Sequence, residues 1–140
     1  MSENSEQYFF NFSFFKVDPK WRWMADLAKE ESAKEVENII NNSKIMFRSY
    51  SNLGLRDDAD FLFWFAAPTV EEIQTVIEKL YKTVFGKYII ASMTYLSCTR
   101  PSLYVKDQKA LGFITGDNPK KHVIVYPFTK TREWYLLPKE

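Results

Sequence analysis

The sequence predicts an α+β fold: a ferredoxin-like β-α-β-β-α-β unit with an antiparallel sheet and both helices on one face, followed by one extra strand. Three observations lead there. Aromatic segments of period two alternate with two amphipathic helical stripes in that order. The run Phe61–Phe65 is apolar without interruption, as in a strand buried on both faces. The strands also carry more aromatic surface than one layer of helices can cover, so something else must cover the second face.

The elements follow in order. Residues 1–7 are polar and expected to form a disordered tail. Tyr8, Phe10, Phe12 and Phe14 then alternate with Phe9, Asn11, Ser13 and Phe15, giving a first strand with one fully aromatic face. Asp18-Pro19 reads as an N-cap followed by proline at the first helical position. Trp21, Met24, Ala25, Ala28, Val36, Ile39 and Ile40 fall on one stripe of a single long helix, closed by Asn41-Asn42-Ser43.

Ile45–Tyr50 is a second strand, and Ser51–Ala59 a polar connection. After the third strand, Thr69 and Glu72 form a capping box before the stripe Ile73, Val76, Ile77, Leu80, Val84 and Phe85. Gly86 is expected at the C′ position. Tyr88–Leu96 is the fourth strand, Cys98–Pro119 a looser stretch, and His122–Phe128 a fifth strand. Residues 8–119 thus form the ferredoxin-like domain with its connecting loop. Residues 120–140 are expected as the first strand and linker of a second, incomplete unit.

Composition excludes several functions. Nineteen basic and eighteen acidic residues among 140 leave a formal charge of +1, which suits neither a broadly basic nucleic-acid binder nor an acidic solvating chain. One cysteine, Cys98, excludes an internal disulfide framework and multi-cysteine zinc sites. One histidine, His122, excludes a multi-histidine metal site, so no metal ligands are assigned. No apolar run approaches the ~20 residues that span a bilayer. The polar start is unlike a signal peptide, so a cytoplasmic globular protein is expected. Charge is uneven. Cys98–Glu140 holds eight basic against four acidic residues, a balance of +4 against −3 for the rest. A basic, aromatic segment suits a flat anionic ligand, and equally a solvated loop rich in lysine.

The string from Val123 to Pro138, with Tyr126-Pro127, Lys130 and Trp134-Tyr135 as its landmarks, resembles the chlorite dismutase-like family of haem proteins, whose better-populated branch is the coproheme decarboxylases. Gly54-Leu55-Arg56-Asp57-Asp58-Ala59-Asp60 before Phe61–Phe65 is similar to a first-domain motif of the family, and Ser102-Leu103-Tyr104 to a weaker third one. The resemblance implies two ferredoxin-like units packed sheet to sheet as a dimeric α+β barrel, commonly in a ring of five. It implies a homo-oligomer that binds haem b or iron-coproporphyrin and uses hydrogen peroxide or chlorite, with no nucleic-acid or membrane partner.

By position, Tyr126 matches the redox and proton-relay tyrosine beside a reactive propionate, Lys130 the lysine that contacts a propionate, and Trp134 an aromatic lining the pocket. Tyr104 matches a propionate-side tyrosine. Chlorite-cleaving members carry an aliphatic residue where Tyr126 stands, so the resemblance favours peroxide-dependent decarboxylation of propionates. Two departures stand beside it. Lys109–Asn118 holds no arginine for a further propionate, and Lys109 lacks a bidentate fork. The family's proximal histidine lies beyond the Trp-Tyr-Leu-Leu-Pro string, and His122 precedes it, so the axial ligand is not in this chain. The chain is therefore expected to be a piece of a longer enzyme or a member that has lost haem. Two alternatives stay open: a non-enzymatic binding or interaction module of the same fold, and a haem-dependent chlorite- or peroxide-degrading enzyme.

Overall fold

The computed structural model describes residues 7–99 and 120–136. Strands β1 (Phe9–Val17), β2 (Met46–Ser51), β3 (Phe61–Ala67) and β4 (Ile89–Cys98) form one sheet in the order β2-β3-β1-β4. Every neighbouring pair is antiparallel. β1 and β2 both run against β3 and so are parallel to one another, with β3 inserted between them. That is the split β-α-β arrangement of a ferredoxin-like unit.

The register assigns each face. Phe9, Asn11, Ser13 and Phe15 stand opposite Ala67, Phe65, Phe63 and Phe61. This face receives both helices, α1 (Asp26–Asn41) and α2 (Val70–Lys82), and the main core forms between them. Phe15, Phe63 and Phe65 pack there with Ile73, Val76 and Leu80 of α2, flanked by Val36, Ile39 and Ile40 of α1. Phe10, Phe12 and Phe14 stand opposite Ala66, Trp64 and Leu62 on the other face. Phe12 stacks on Trp64 with centroids 5.2 Å apart, and Phe14 meets Tyr95 edge-on at 6.5 Å.

The helix starts follow sequence chemistry. Thr69 Oγ1 accepts from the Glu72 amide at 3.4 Å, and the Glu72 carboxylate accepts from the Thr69 amide at 3.3 Å, which closes the expected capping box of α2. Asp18 caps as expected, its carboxylate accepting from Lys20 N at 2.8 Å. What it starts is a short 3-10 helix, Pro19–Trp23, and not the long helix read from the stripe. Met24 and Ala25 are both extended, and α1 begins only at Asp26. The break lets Trp21 reach Phe85 at 5.0 Å and Tyr88 at 5.5 Å, contacts that a continuous helix axis would carry away.

Two further expectations change. Gly86 does not end α2 as a left-handed cap, because α2 stops at Lys82 and Thr83 caps it by bonding Leu80 O. Gly86 lies buried in a second 3-10 turn, Phe85–Tyr88, where an added Cβ would sit 2.1 Å from the Leu80 carbonyl oxygen. Close approach, not backbone handedness, requires glycine there. The fifth strand His122–Phe128 keeps its alternation but joins no ladder among the described residues. It crosses the second face of the sheet, Val123 and Val125 packing against Phe14, Ala59 and Leu62. A chain lying over a face has no strand edge beside it to bond. No helix among the described residues is long and apolar enough to cross a membrane.

Candidate functional site

The C-terminal crossing segment holds three of the residues singled out from sequence. Because Val123 and Val125 turn toward the sheet, the alternate side chains Ile124 and Tyr126 turn outward. Tyr126 is 73% exposed, and its ring lies 6.3 Å from that of Phe128, two residues on. Past Pro127 the chain winds into the short helix α3 (Arg132–Leu136). The Thr131 hydroxyl bonds Glu133 and holds its carboxyl below the ordinary carboxylate range.

That turn places Trp134 four residues after Lys130. Lys130 Nζ lies 3.5 Å from the centroid of the Trp134 ring, a close cation–π contact. Trp134 in turn meets Tyr135 edge-on at 5.3 Å. Ile124, Tyr126, Phe128, Trp134, Tyr135 and Leu136 are each exposed, and the Lys130 ammonium rests on the Trp134 ring. Lys130 and Trp134 are thus brought together, and Tyr126 is paired with Phe128. Tyr104 lies outside the described residues. In the sequence Phe128 marks only the end of the fifth strand. Its spacing of two from Tyr126 was the signal that the two rings share a side.

The Gly54–Asp60 motif is elsewhere, in the β2–β3 connection. Gly54 adopts φ +76, a turn conformation that favours glycine. Leu55 N and Arg56 N both donate to Asn52 O. Arg56 then clamps Asp58 with both arms of its fork, Nε to Oδ1 at 2.7 Å and Nη2 to Oδ2 at 2.6 Å, above the Phe14 ring at 5.5 Å. The pairing raises the Arg56 pKa and lowers that of Asp58. Asp60 accepts from Val17 N at 2.8 Å and meets Lys16 at 3.5 Å. Asp58 thus serves the loop and Asp60 ties it to β1, and no metal-holding cluster occurs among the described residues. His122 and Cys98 are both exposed.

Comparison with known proteins adds the following. The family model for chlorite dismutase matches residues 29–140. A coproheme decarboxylase of Mycolicibacterium smegmatis is 31% identical over 140 residues, which cover 98% of this chain and 60% of the relative. Among solved structures, an arginine-to-alanine mutant of chlorite dismutase from Candidatus Nitrospira defluvii superposes with a TM-score of 0.74 at 22% identity, covering 94% of this chain and 58% of that one. A heme-binding protein from Thermus thermophilus gives a TM-score of 0.59 at 19% identity, covering 66% and 40%. At such identities the solved structures speak for the fold alone. The chain spans about three fifths of the length of the curated relative it matches.

Proposed function

Because this chain belongs to the chlorite dismutase family, we propose that it forms part of an iron-porphyrin oxidoreductase of the coproheme decarboxylase type, acting in the cytoplasm as a homo-oligomer. One observation carries the reading: a lysine ammonium rests on a half-exposed indole, in a segment whose other aromatic side chains are exposed as well. A flat apolar macrocycle with carboxylate arms has that chemistry in complement. Exposed aromatics match the ring, and a cation matches a propionate. The donor set fits the porphyrin's edge. The iron's axial ligand is not assigned to any described residue.

In this reading the bound iron porphyrin supplies the redox chemistry, with hydrogen peroxide as oxidant. Lys130 holds a propionate through its ammonium, a compact point charge that suits one carboxylate oxygen. Trp134 flanks that contact. Tyr126 gives up and regains a proton and an electron at its Oη, which lysine cannot do at the potentials involved. Tyr104 is assigned a propionate-side contact on resemblance alone.

The test uses the full gene product loaded with iron-coproporphyrin, titrated with peroxide, with porphyrin mass as the readout. Stepwise loss of carbon dioxide from the propionates is expected. Tyr126→Phe should bind the porphyrin as well as wild type and leave its mass unchanged. Decarboxylation at the wild-type rate in that variant would remove the tyrosine from the mechanism. Chlorite consumption with an intact porphyrin would move the protein to the chlorite-degrading branch, and failure to bind would leave a binding module of the same fold.

A further inference from the structure

We propose that Trp134 is a positioning residue whose indole face holds Lys130 as a preformed carboxylate receptor, so that one face of the indole is taken by the ammonium and cannot stack on the porphyrin. This rests on the reading just given and deepens it.

Three features of the structure carry the inference. Lys130 Nζ lies 3.5 Å from the Trp134 ring centroid, well inside the ~6 Å over which a cation is drawn to an indole face. Lys130 makes no ion pair among the described residues; the four pairs present use Lys16, Lys29, Arg56 and Lys82. The carboxylate closest in sequence, Glu133, is bonded by the Thr131 hydroxyl instead. An uncompensated ammonium on a long flexible stem would ordinarily sample many rotamers, and fixing them at binding costs affinity. The indole fixes the stem beforehand without neutralising the charge. A neighbouring carboxylate would fix it equally well but would compete with the ligand. Lys130 itself is exposed, so the ammonium keeps N–H donors free of the ring for an incoming anion. Occupation of one indole face by the lysine leaves the edge and the other face for the macrocycle.

The experiment has two arms. In ligand-free protein, the Lys130 ε-methylene protons should be shifted upfield by the indole ring current in NMR spectra and return to the ordinary lysine position in Trp134→Leu. Ordinary shifts in wild type would overturn the proposal whatever the ligand. In the second arm, the full gene product is titrated with iron-coproporphyrin and with its tetramethyl ester. Trp134→Leu should weaken binding of the free acid about 3- to 10-fold and the ester much less. Trp134→Phe should recover part of the loss, because a phenyl face still attracts the cation. In a Lys130→Gln background, Trp134→Leu should add almost nothing. Equal losses for acid and ester, or additive losses in the double variant, would show that the indole only stacks on the ring, and would overturn the proposal. If wild type binds neither porphyrin, the function proposed above fails and the receptor role fails with it, while the ring-current arm still reports whether the indole holds the lysine.

Discussion

Asp58 stays ionised to lower pH than an ordinary aspartate because Arg56 bonds both of its oxygens. The sign of the pH effect follows. A carboxyl whose pKa is depressed by folding contributes stability above its unfolded value, and the contribution disappears as pH falls through the folded value. Wild type should therefore be more stable than Asp58→Asn at neutral pH, and the gap should close below about pH 4. Denaturant unfolding of both proteins at several pH values checks this. Because both groups are part exposed, the gap should also shrink in added salt. Reading the acidic motif as a loop ion-pair cluster was possible from sequence, since an arginine stands among the aspartates in a hairpin. The contact between Lys130 and Trp134 was not. Spacing of four implies contact only on a helix, and nothing in the residues themselves announces that a helix as short as α3 begins between them. At the ligand itself, Lys130→Ala should weaken porphyrin binding by about 1.5–3 kcal/mol, the range for a hydrogen bond to a charged group, as measured by titration of the full gene product.

The strands and α2 were legible because period and capping chemistry agree there. α2 starts at Thr69 because its capping box satisfies otherwise unpaired amides, and Thr69→Ala should cost about 1 kcal/mol in denaturant unfolding. α1 was legible only in part. Its stripe is weak, and the side chain it buries is Ser32, whose hydroxyl accepts from Phe85 N at 2.7 Å. A serine that anchors one helix to the turn after another has no place in an apolar pattern. The stripe was also extended across Met24-Ala25, where packing of Trp21 on Phe85 and Tyr88 overrides local propensity. Gly86 shows the same competition. Its sequence position suggested a helix stop, whereas its function is to let a 3-10 turn pass against the Leu80 carbonyl. Gly86→Ala must push backbone against backbone, and a loss of about 2–3 kcal/mol is expected, the upper part of the range for overpacking. A loss no larger than that of an ordinary solvent-exposed substitution would mean that the turn relaxes freely.

For the molecule as a whole, the two faces of the sheet are unequal. The helix face is sealed by α1 and α2 around Phe15, Phe63 and Phe65. The other face presents Phe12, Phe14, Leu62, Tyr50, Met93 and Tyr95, with Val123 and Val125 packed there from the crossing segment. Phe14 and Leu62 are buried there, Phe12, Tyr50, Trp64, Met93 and Tyr95 are only half-buried, and the outward side of that same segment is itself apolar and exposed at Ile124, Tyr126 and Phe128. That aromatic excess was visible in the alternation of the first strand. What the alternation lacked was any statement of how the C-terminal segment meets it, because a period of two describes a chain crossing a face as well as a chain joining an edge. The 140-residue chain is therefore expected to self-associate through its sheet face at micromolar concentration. Phe12 is the residue to probe. It stands on this face, only partly buried, stacked 5.2 Å from Trp64 and remote from the helix-side core. Phe12→Lys should lower the sedimentation-derived mass toward that of a monomer while leaving the far-ultraviolet circular dichroism unchanged. A wild-type chain that sediments as a monomer and binds no apolar dye would show instead that the sheet face is already closed within one chain.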